Sequence, residues 1–358
     1  MDSTVKSVLN DGRVIHLPAQ QDSSLFNPFE RMEFTNDHCF LCGTRLQDDS
    51  TAEHIFPKWL QNKFKLWDRS IHLLNGTTIP YRNVKIPCCA TCNNVHLSQL
   101  EIEIRNAFDG GYEEFKRLSP TRIFQWVSKI FYGLLFKELS LPLDIRSKEK
   151  GAILTPETLE QFRLVHVFLQ SIRIPFDYQG DYPFSVQFVP TQATGNTFLD
   201  FDYADNFQLL TFSIRMGEVG IITSLQDAGA DTFAHAEYYD RLQSFKLHPL
   251  QFREMVAKNT YSNKLMNRVP KFIITFPEGG DEITVITMPL GGMSGGPQFD
   301  DWDNAEYARF LQFYTSPYIN ANYTDLYIDG QVVSFLFDEN NDFQDLPIGS
   351  KVIFQPLK

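Results

Sequence analysis

The chain has 358 residues, of which 43% are hydrophobic and 14% aromatic, and a formal net charge of -12. That composition belongs to a globular protein with enough material for a large core, and it excludes a disordered or low-complexity chain. The most apolar stretch, residues 123–139, carries Gln125, Ser128, Lys129 and Lys137; it is too short and too polar to span a bilayer, and no basic segment followed by an apolar run marks a leader.

Residues 1–37 are polar, with a short strand expected over Arg13–Leu17 and ended by Pro18. Pro57 opens a short helix through Leu66, because proline suits the first helical turn. Ser70–Leu74 reads as a strand, Asn75-Gly76 as a hairpin turn, and Thr77–Ile86 as the return strand. A helix then begins at Cys92 or Asn93, with Leu97, Leu100, Ile104 and Phe108 at helical spacing. Asp109-Gly110-Gly111 ends it. Ser119-Pro120 starts a second helix, to about Leu139, apolar on most sides and therefore buried or at an interface. Thr155-Pro156 starts a third. From Pro175 the texture turns to short strands, at Ser185–Val189, Phe207–Met216, Val219–Leu225, Lys271–Phe276 and Glu282–Met288. Between and after these, Asp231–Phe245, Pro249–Met266 and Asn304–Tyr314 read as helices, and Asp329-Gly330 as a hairpin turn. This is an α+β pattern. Gly291–Pro297 is glycine-rich, but without a following Gly-Lys-Ser/Thr it reads as a loop and not as a phosphate cradle.

All five cysteines lie between residues 39 and 92. Cys39-x-x-Cys42 and Cys89-x-x-Cys92 have the spacing of two zinc knuckles, four thiolates for one tetrahedral, structural Zn²⁺. A second register through Cys88 exists, but Cys89 gives the better knuckle, so Cys88 reads as a buried free thiol. Cysteine used this way points to a reducing cytoplasm. Between the knuckles stands Glu53-His54-Ile55-Phe56-Pro57. A carboxylate beside a histidine can bind a hard cation and activate a water.

The combination CFLCG, EHIFPKWL and CATCNNVHLSQLE resembles HNH endonucleases, the ββα-metal nucleases with a four-cysteine zinc clip. The resemblance covers residues 39–101. It implies a nuclease domain over 1–110; the break at Asp109-Gly110-Gly111 and the change of texture at Pro175 then mark a helical connector over 111–175 and an acidic α+β regulatory or interaction domain over 176–358. His54 would be the general base. Glu53 and Asn93 would hold a catalytic Mg²⁺ or Mn²⁺, with Asn94 a weaker substitute for Asn93, and Asn83 would tie the hairpin loop. Lys58, Arg82 and Lys85 are the cations offered to phosphates. His96 stands one place short of the position where some relatives carry a further histidine and reads as a packing or DNA-facing residue; His38 and His72 can touch phosphate. The substrate implied is DNA, cut to 5′-phosphate and 3′-hydroxyl, and the setting implied is defence against phage. A non-catalytic zinc-stabilised binding module and an RNA-cleaving enzyme of the same chemistry are the other readings.

Charge is unevenly spread: roughly -2 over 1–110, roughly +3 over 111–175 and roughly -13 beyond. DNA affinity is largely phosphate neutralisation, so the C-terminal half is expected to contact a protein partner or a second copy and not nucleic acid. A chain ending near residue 175 is accordingly expected to keep the catalytic site.

Overall fold

The computed structural model describes residues 4–8, 14–18, 37–46, 51–139, 141–144, 146–151, 162–197, 199–275, 282–291 and 296–348. The helix start at Thr155-Pro156 and the middle of the Gly291–Pro297 loop lie outside these. The chain is α+β and divides into two units, each drawn from separate stretches of sequence.

The first unit comprises residues 1–110, 117–183 and 269–289. Thr4–Val8 (β1) and Val14–Pro18 (β2) form an antiparallel hairpin. Thr51–His54 (β3) leads into Lys58–Lys63 (α1), with Pro57 immediately before the first turn. Ser70–His72 (β4) and Thr78–Pro80 (β5) pair across the Asn75-Gly76 turn, where Gly76 has φ +78°, a conformation glycine adopts without strain. The expected single return strand is two strands. Pro80 lacks a donor to extend the ladder, the chain makes one tight turn at Tyr81–Asn83, and Lys85–Cys88 (β6) then pairs antiparallel with β3 instead of β4. The helix that follows begins with wide, π-helical turns over Cys92–Leu97 and continues as Ser98–Asp109 (α2).

Pro120–Leu139 (α4, after the one-and-a-half-turn α3 at Tyr112–Lys116) is the apolar helix read from the sequence. Ile123, Phe124, Trp126, Val127, Ile130, Phe131, Leu134 and Leu135 are all buried, each worth about 1.5–3 kcal/mol of apolar transfer. The helix packs on β6, α2 and Arg163–Leu169 (α5). Its apolar surface is therefore covered inside the unit, the burial alternative of the two that its pattern allowed. Gly133 permits the close approach: a Cβ there would lie 3.0 Å from Ile55 Cγ1 and 3.4 Å from Ile86 Cδ1. A three-stranded sheet completes the unit. Ile283–Thr287 runs parallel to Phe176–Gln179 (β7) and antiparallel to Phe272–Thr275, which lies beside β2.

The second unit comprises residues 111–116, 184–268 and 290–358. Its four-stranded antiparallel sheet has the order Ser185–Pro190, Val219–Ser224, Thr211–Met216, Phe201–Asn206. Helix Pro249–Leu265 contributes Leu250, Phe252, Met255, Val256 and Tyr261 to its core. The helix expected over Asp231–Phe245 is two, Ala230–Ala234 and Ala236–Leu242, broken at His235. The Asp329-Gly330 turn joins Tyr327–Ile328 to Gln331–Val332 with both residues at positive φ, as a two-residue hairpin requires.

The division at residues 110 and 175 is thus corrected. From residue 117 onward the helical segment belongs to the first unit because its apolar face is that unit's core, whereas residues 111–116 fall in the second; β7 with its two partners belongs to the first too, through a parallel pairing of residues more than 100 positions apart.

Candidate functional site

The site is built on the β3–β6 pair and the start of the helix that follows β6. Sγ atoms of Cys39, Cys42, Cys89 and Cys92 all lie within 4.8 Å of one another. Cys42 and Cys89 sulfurs are 3.7 Å apart, close to the edge of about 3.8 Å that a tetrahedral ZnS₄ centre has with Zn–S near 2.3 Å. Four cysteines so placed can hold a metal ion such as zinc. Without a metal the proton is unevenly shared: hydrogen bonds from Cys42, Cys88 and Cys92 draw the Cys39 thiol down, whereas burial raises Cys89 and hydrogen bonds with Cys39 and Cys42 raise Cys92, so ionisation of all four needs a bound cation. Cys88 stays outside the quartet. It is the last residue of β6, opposite Thr51 and fully buried, and its sulfur lies 4.0 Å from that of Cys39.

Beside the cluster, β3 presents Glu53 and His54 to a cavity of about 220 Å³ lined also by Lys58, Asn93, Asn94, Ser98 and Glu101. In the β3–β6 ladder Glu53 stands opposite Ile86 and His54 opposite Lys85. His54 is 7% exposed. Its imidazole is hydrogen-bonded by the Arg82 backbone, while Nε2 is buried with no hydrogen-bond partner among the described residues. Burial first, then the ammonium groups of Lys85, Lys58 and Lys129, push the His54 pKa down to about 4. The ring is therefore neutral at physiological pH, with Nε2 free to accept a proton.

Asn93, in the first π turn, donates from Nδ2 to Thr51 Oγ1 at 2.8 Å, and Thr51 donates onward to the Cys88 carbonyl at 3.1 Å. This chain fixes the amide and commits its nitrogen, leaving the oxygen as the group it can offer a cation.

Sequence reasoning missed Lys129 and Glu101. Lys129 reaches from the middle of α4, fully buried, and forms ion pairs with Glu53 and with Glu101, the latter at 3.0 Å. Its ammonium also donates to the carbonyls of His54, at 2.7 Å, and Ile55, at 3.2 Å. Burial opposes its charge, but the two carboxylates hold its pKa above the usual lysine value. Burial raises Glu53 to about 7, against the attraction of Lys129 and helped by repulsion from Glu101. One available signal was a lysine set among apolar residues of a buried helix, which needs a counter-charge.

Of the cations offered to phosphate, Lys58 and Lys85 are exposed, and both are close enough to act on His54. Arg82 is not free for that role: it pairs with Asp68 and donates to the Trp67 carbonyl at 3.1 Å. That contact, with Tyr81 N donating to the Arg69 carbonyl at 2.8 Å, ties the loop as Asn83 was expected to. Asn83 itself is exposed and makes no side-chain hydrogen bond among the described residues, because the tight turn at Tyr81–Asn83 directs it outward. His96 lies outside the cavity lining. His38 pairs with Asp37, and His72 shares a 2.9 Å hydrogen bond with Thr78. The half-exposed Trp67 ring stands 6.0 Å from the His54 ring.

Among the described residues no helix is long and apolar enough to cross a membrane. Compared with protein-family models, with curated proteins and with solved structures, the chain matches none.

Proposed function

We propose that this chain is a metal-dependent HNH endonuclease that hydrolyses phosphodiester bonds in DNA, with a structural zinc on Cys39, Cys42, Cys89 and Cys92. One observation carries the reading. A neutral histidine with an unpartnered Nε2 shares a cavity with a carboxylate and an asparagine amide, beside a four-cysteine cluster.

In this reading Nε2 of His54 takes a proton from water, whose oxygen attacks phosphorus while the P–O3′ bond breaks. The Arg82 backbone contact holds the ring and sets which nitrogen is free. Glu53 and Asn93 would hold Mg²⁺ or Mn²⁺, which supplies charge stabilisation to the phosphoryl group and the leaving 3′ oxygen. The oxygen donor set suits such a hard cation. Lys58 and Lys85 lie near enough to His54 to meet a phosphate backbone.

The test is cleavage of plasmid, linear duplex, single-stranded DNA and RNA with Mg²⁺ or Mn²⁺. DNA should be cut, and His54→Ala should lower the rate by roughly two to four orders of magnitude with zinc content unchanged. One observation favours a second reading, a catalytically inactive zinc-stabilised binding module: the Lys129 ammonium already pairs with Glu53. Absence of cleavage on every substrate, with zinc bound, would decide for that module; cutting of RNA alone would move the substrate class.

A further inference from the structure

The acidic cavity has more oxygen than the Glu53–Asn93 pair supplies. Glu101 lies on the same wall, yet it stands eight residues after Asn93. Eight α-helical steps of 100° would leave it about 80° around the helix from Asn93. The π turns at Cys92–Leu97 advance less per residue, since each closes five residues back instead of four. Five such steps remove most of the offset, so Asn93, Asn94, Ser98 and Glu101 come to line one cavity.

Charge points the same way. Lys129 is a single ammonium, yet two carboxylates converge on it. Glu101 engages it through Oε1. With both carboxylates ionised, Glu53, Glu101 and Lys129 sum to one net negative charge in a cavity that Asn93, Asn94 and Ser98 also line. A cation placed there favours that ionised state. The unpartnered His54 Nε2, on a side chain more than nine-tenths buried, opens on the same space. It is an independent sign that something other than protein completes this cavity.

We infer that Glu101 is a third protein ligand of the divalent-cation site, joining Glu53 and Asn93 on one ion. Lys129 holds the two carboxylates side by side and limits their mutual repulsion, so the site takes one divalent ion and not two. The inference rests on the endonuclease reading, and it adds a residue that reading does not need.

The experiment titrates Mn²⁺ into the full-length zinc-loaded protein and follows the loss of the free-ion paramagnetic resonance signal. The wild type should bind one Mn²⁺ per chain. Glu101→Gln should weaken that binding by roughly tenfold or more, and should raise the Mn²⁺ concentration for half-maximal cleavage by the same factor. Zinc content should stay as in the wild type, and the variant should still melt in one cooperative transition. Glu101→Asp keeps the charge beside Lys129 but shortens the reach. It should also lose Mn²⁺ affinity, which serves if the glutamine variant folds poorly. Glu103→Gln, at an exposed ion pair with Arg122 outside the cavity, should change nothing. Unchanged Mn²⁺ affinity in folded Glu101→Gln and Glu101→Asp, with a wild type that binds and cleaves, would overturn the role of Glu101 alone. A wild type that neither binds Mn²⁺ nor cleaves would overturn the endonuclease reading with it.

Discussion

His54 is held neutral by its surroundings. Burial and the nearby Lys85, Lys58 and Lys129 ammonium groups all disfavour a second positive charge, and the folded pKa falls from 6.5 to about 4. A general base works in its neutral form, which survives on acidification until pH approaches the folded pKa. At saturating Mn²⁺, whose charge also disfavours an imidazolium beside it, the acid limb of the rate profile assigned to His54 should therefore lie well below 6.5. A limb at or above 6.5 under those conditions would remove His54 from that role. Lys129 behaves differently, because its charge is compensated instead of suppressed. Replacing it by Met leaves Glu53 and Glu101 facing each other with nothing between. Breaking a buried pair on one side typically costs about 3–5 kcal/mol, mostly for the charge left behind. Lys129→Met should lower the urea midpoint at pH 8 by a corresponding amount at unchanged slope. A shift below 1 kcal/mol would mean that the ammonium is not holding the pair.

At the scale of elements, the cluster and the strand pair depend on each other. Asn93 bonds to Thr51 of β3, Thr51 bonds to Cys88 of β6, and the second knuckle begins one residue later. Metal binding there should contribute folding energy to the whole strand–strand–helix unit. Cys89→Ser and Cys39→Ser should lose the metal and unfold the unit, whereas Cys88→Ser should keep one metal per chain by elemental analysis; the reverse pattern would shift the register by one residue. Much of this was legible in the sequence. The knuckles, the Glu53-His54 pair, Asn93 at the helix start and the Asn75-Gly76 turn are local patterns whose spacing carries the geometry. The partner of β6 was not legible, since Pro80 divides a run of strand-like residues and local pattern does not say which strand each half joins. Nor was the π turn that carries Glu101 to the cavity. Lys129 was invisible for another reason. It contacts the His54 carbonyl across 75 residues of sequence, and among Phe124, Trp126, Ile130 and Phe131 it reads as an interruption of a buried helix rather than its purpose.

At the scale of the whole chain, each of the two units draws on separate stretches of sequence, and that changes what truncation can achieve. The acidic charge from residue 176 onward suggested a chain divisible near residue 175, with the catalytic part first. Yet β7 and both its sheet neighbours, Phe272–Thr275 and Ile283–Thr287, belong to the same unit as the site. Phe272 is buried and meets Phe168 of α5 edge to face, ring centres 5.3 Å apart, and α5 packs on α4, whose Lys129 supports Glu53. Ending the chain at 175 removes the entire three-stranded sheet and exposes α5. The loss of Phe272, Ile274, Ile283 and Val285, all buried, forfeits about 1.5–3 kcal/mol each, comparable in sum to the whole stability of a typical domain. A chain ending at 175 should therefore be insoluble or lack a cooperative unfolding transition. A chain ending at 289 in which residues 184–268 are replaced by a flexible linker should keep the metal, a cooperative melt and the cleavage activity. Joining the ends this way asks little of the backbone, because closure entropy grows only slowly with linker length. Cooperative unfolding and full metal content in the 175-residue chain, with neither in the linked one, would show that the sheet built from residues 176–179, 272–275 and 283–287 does not support the site.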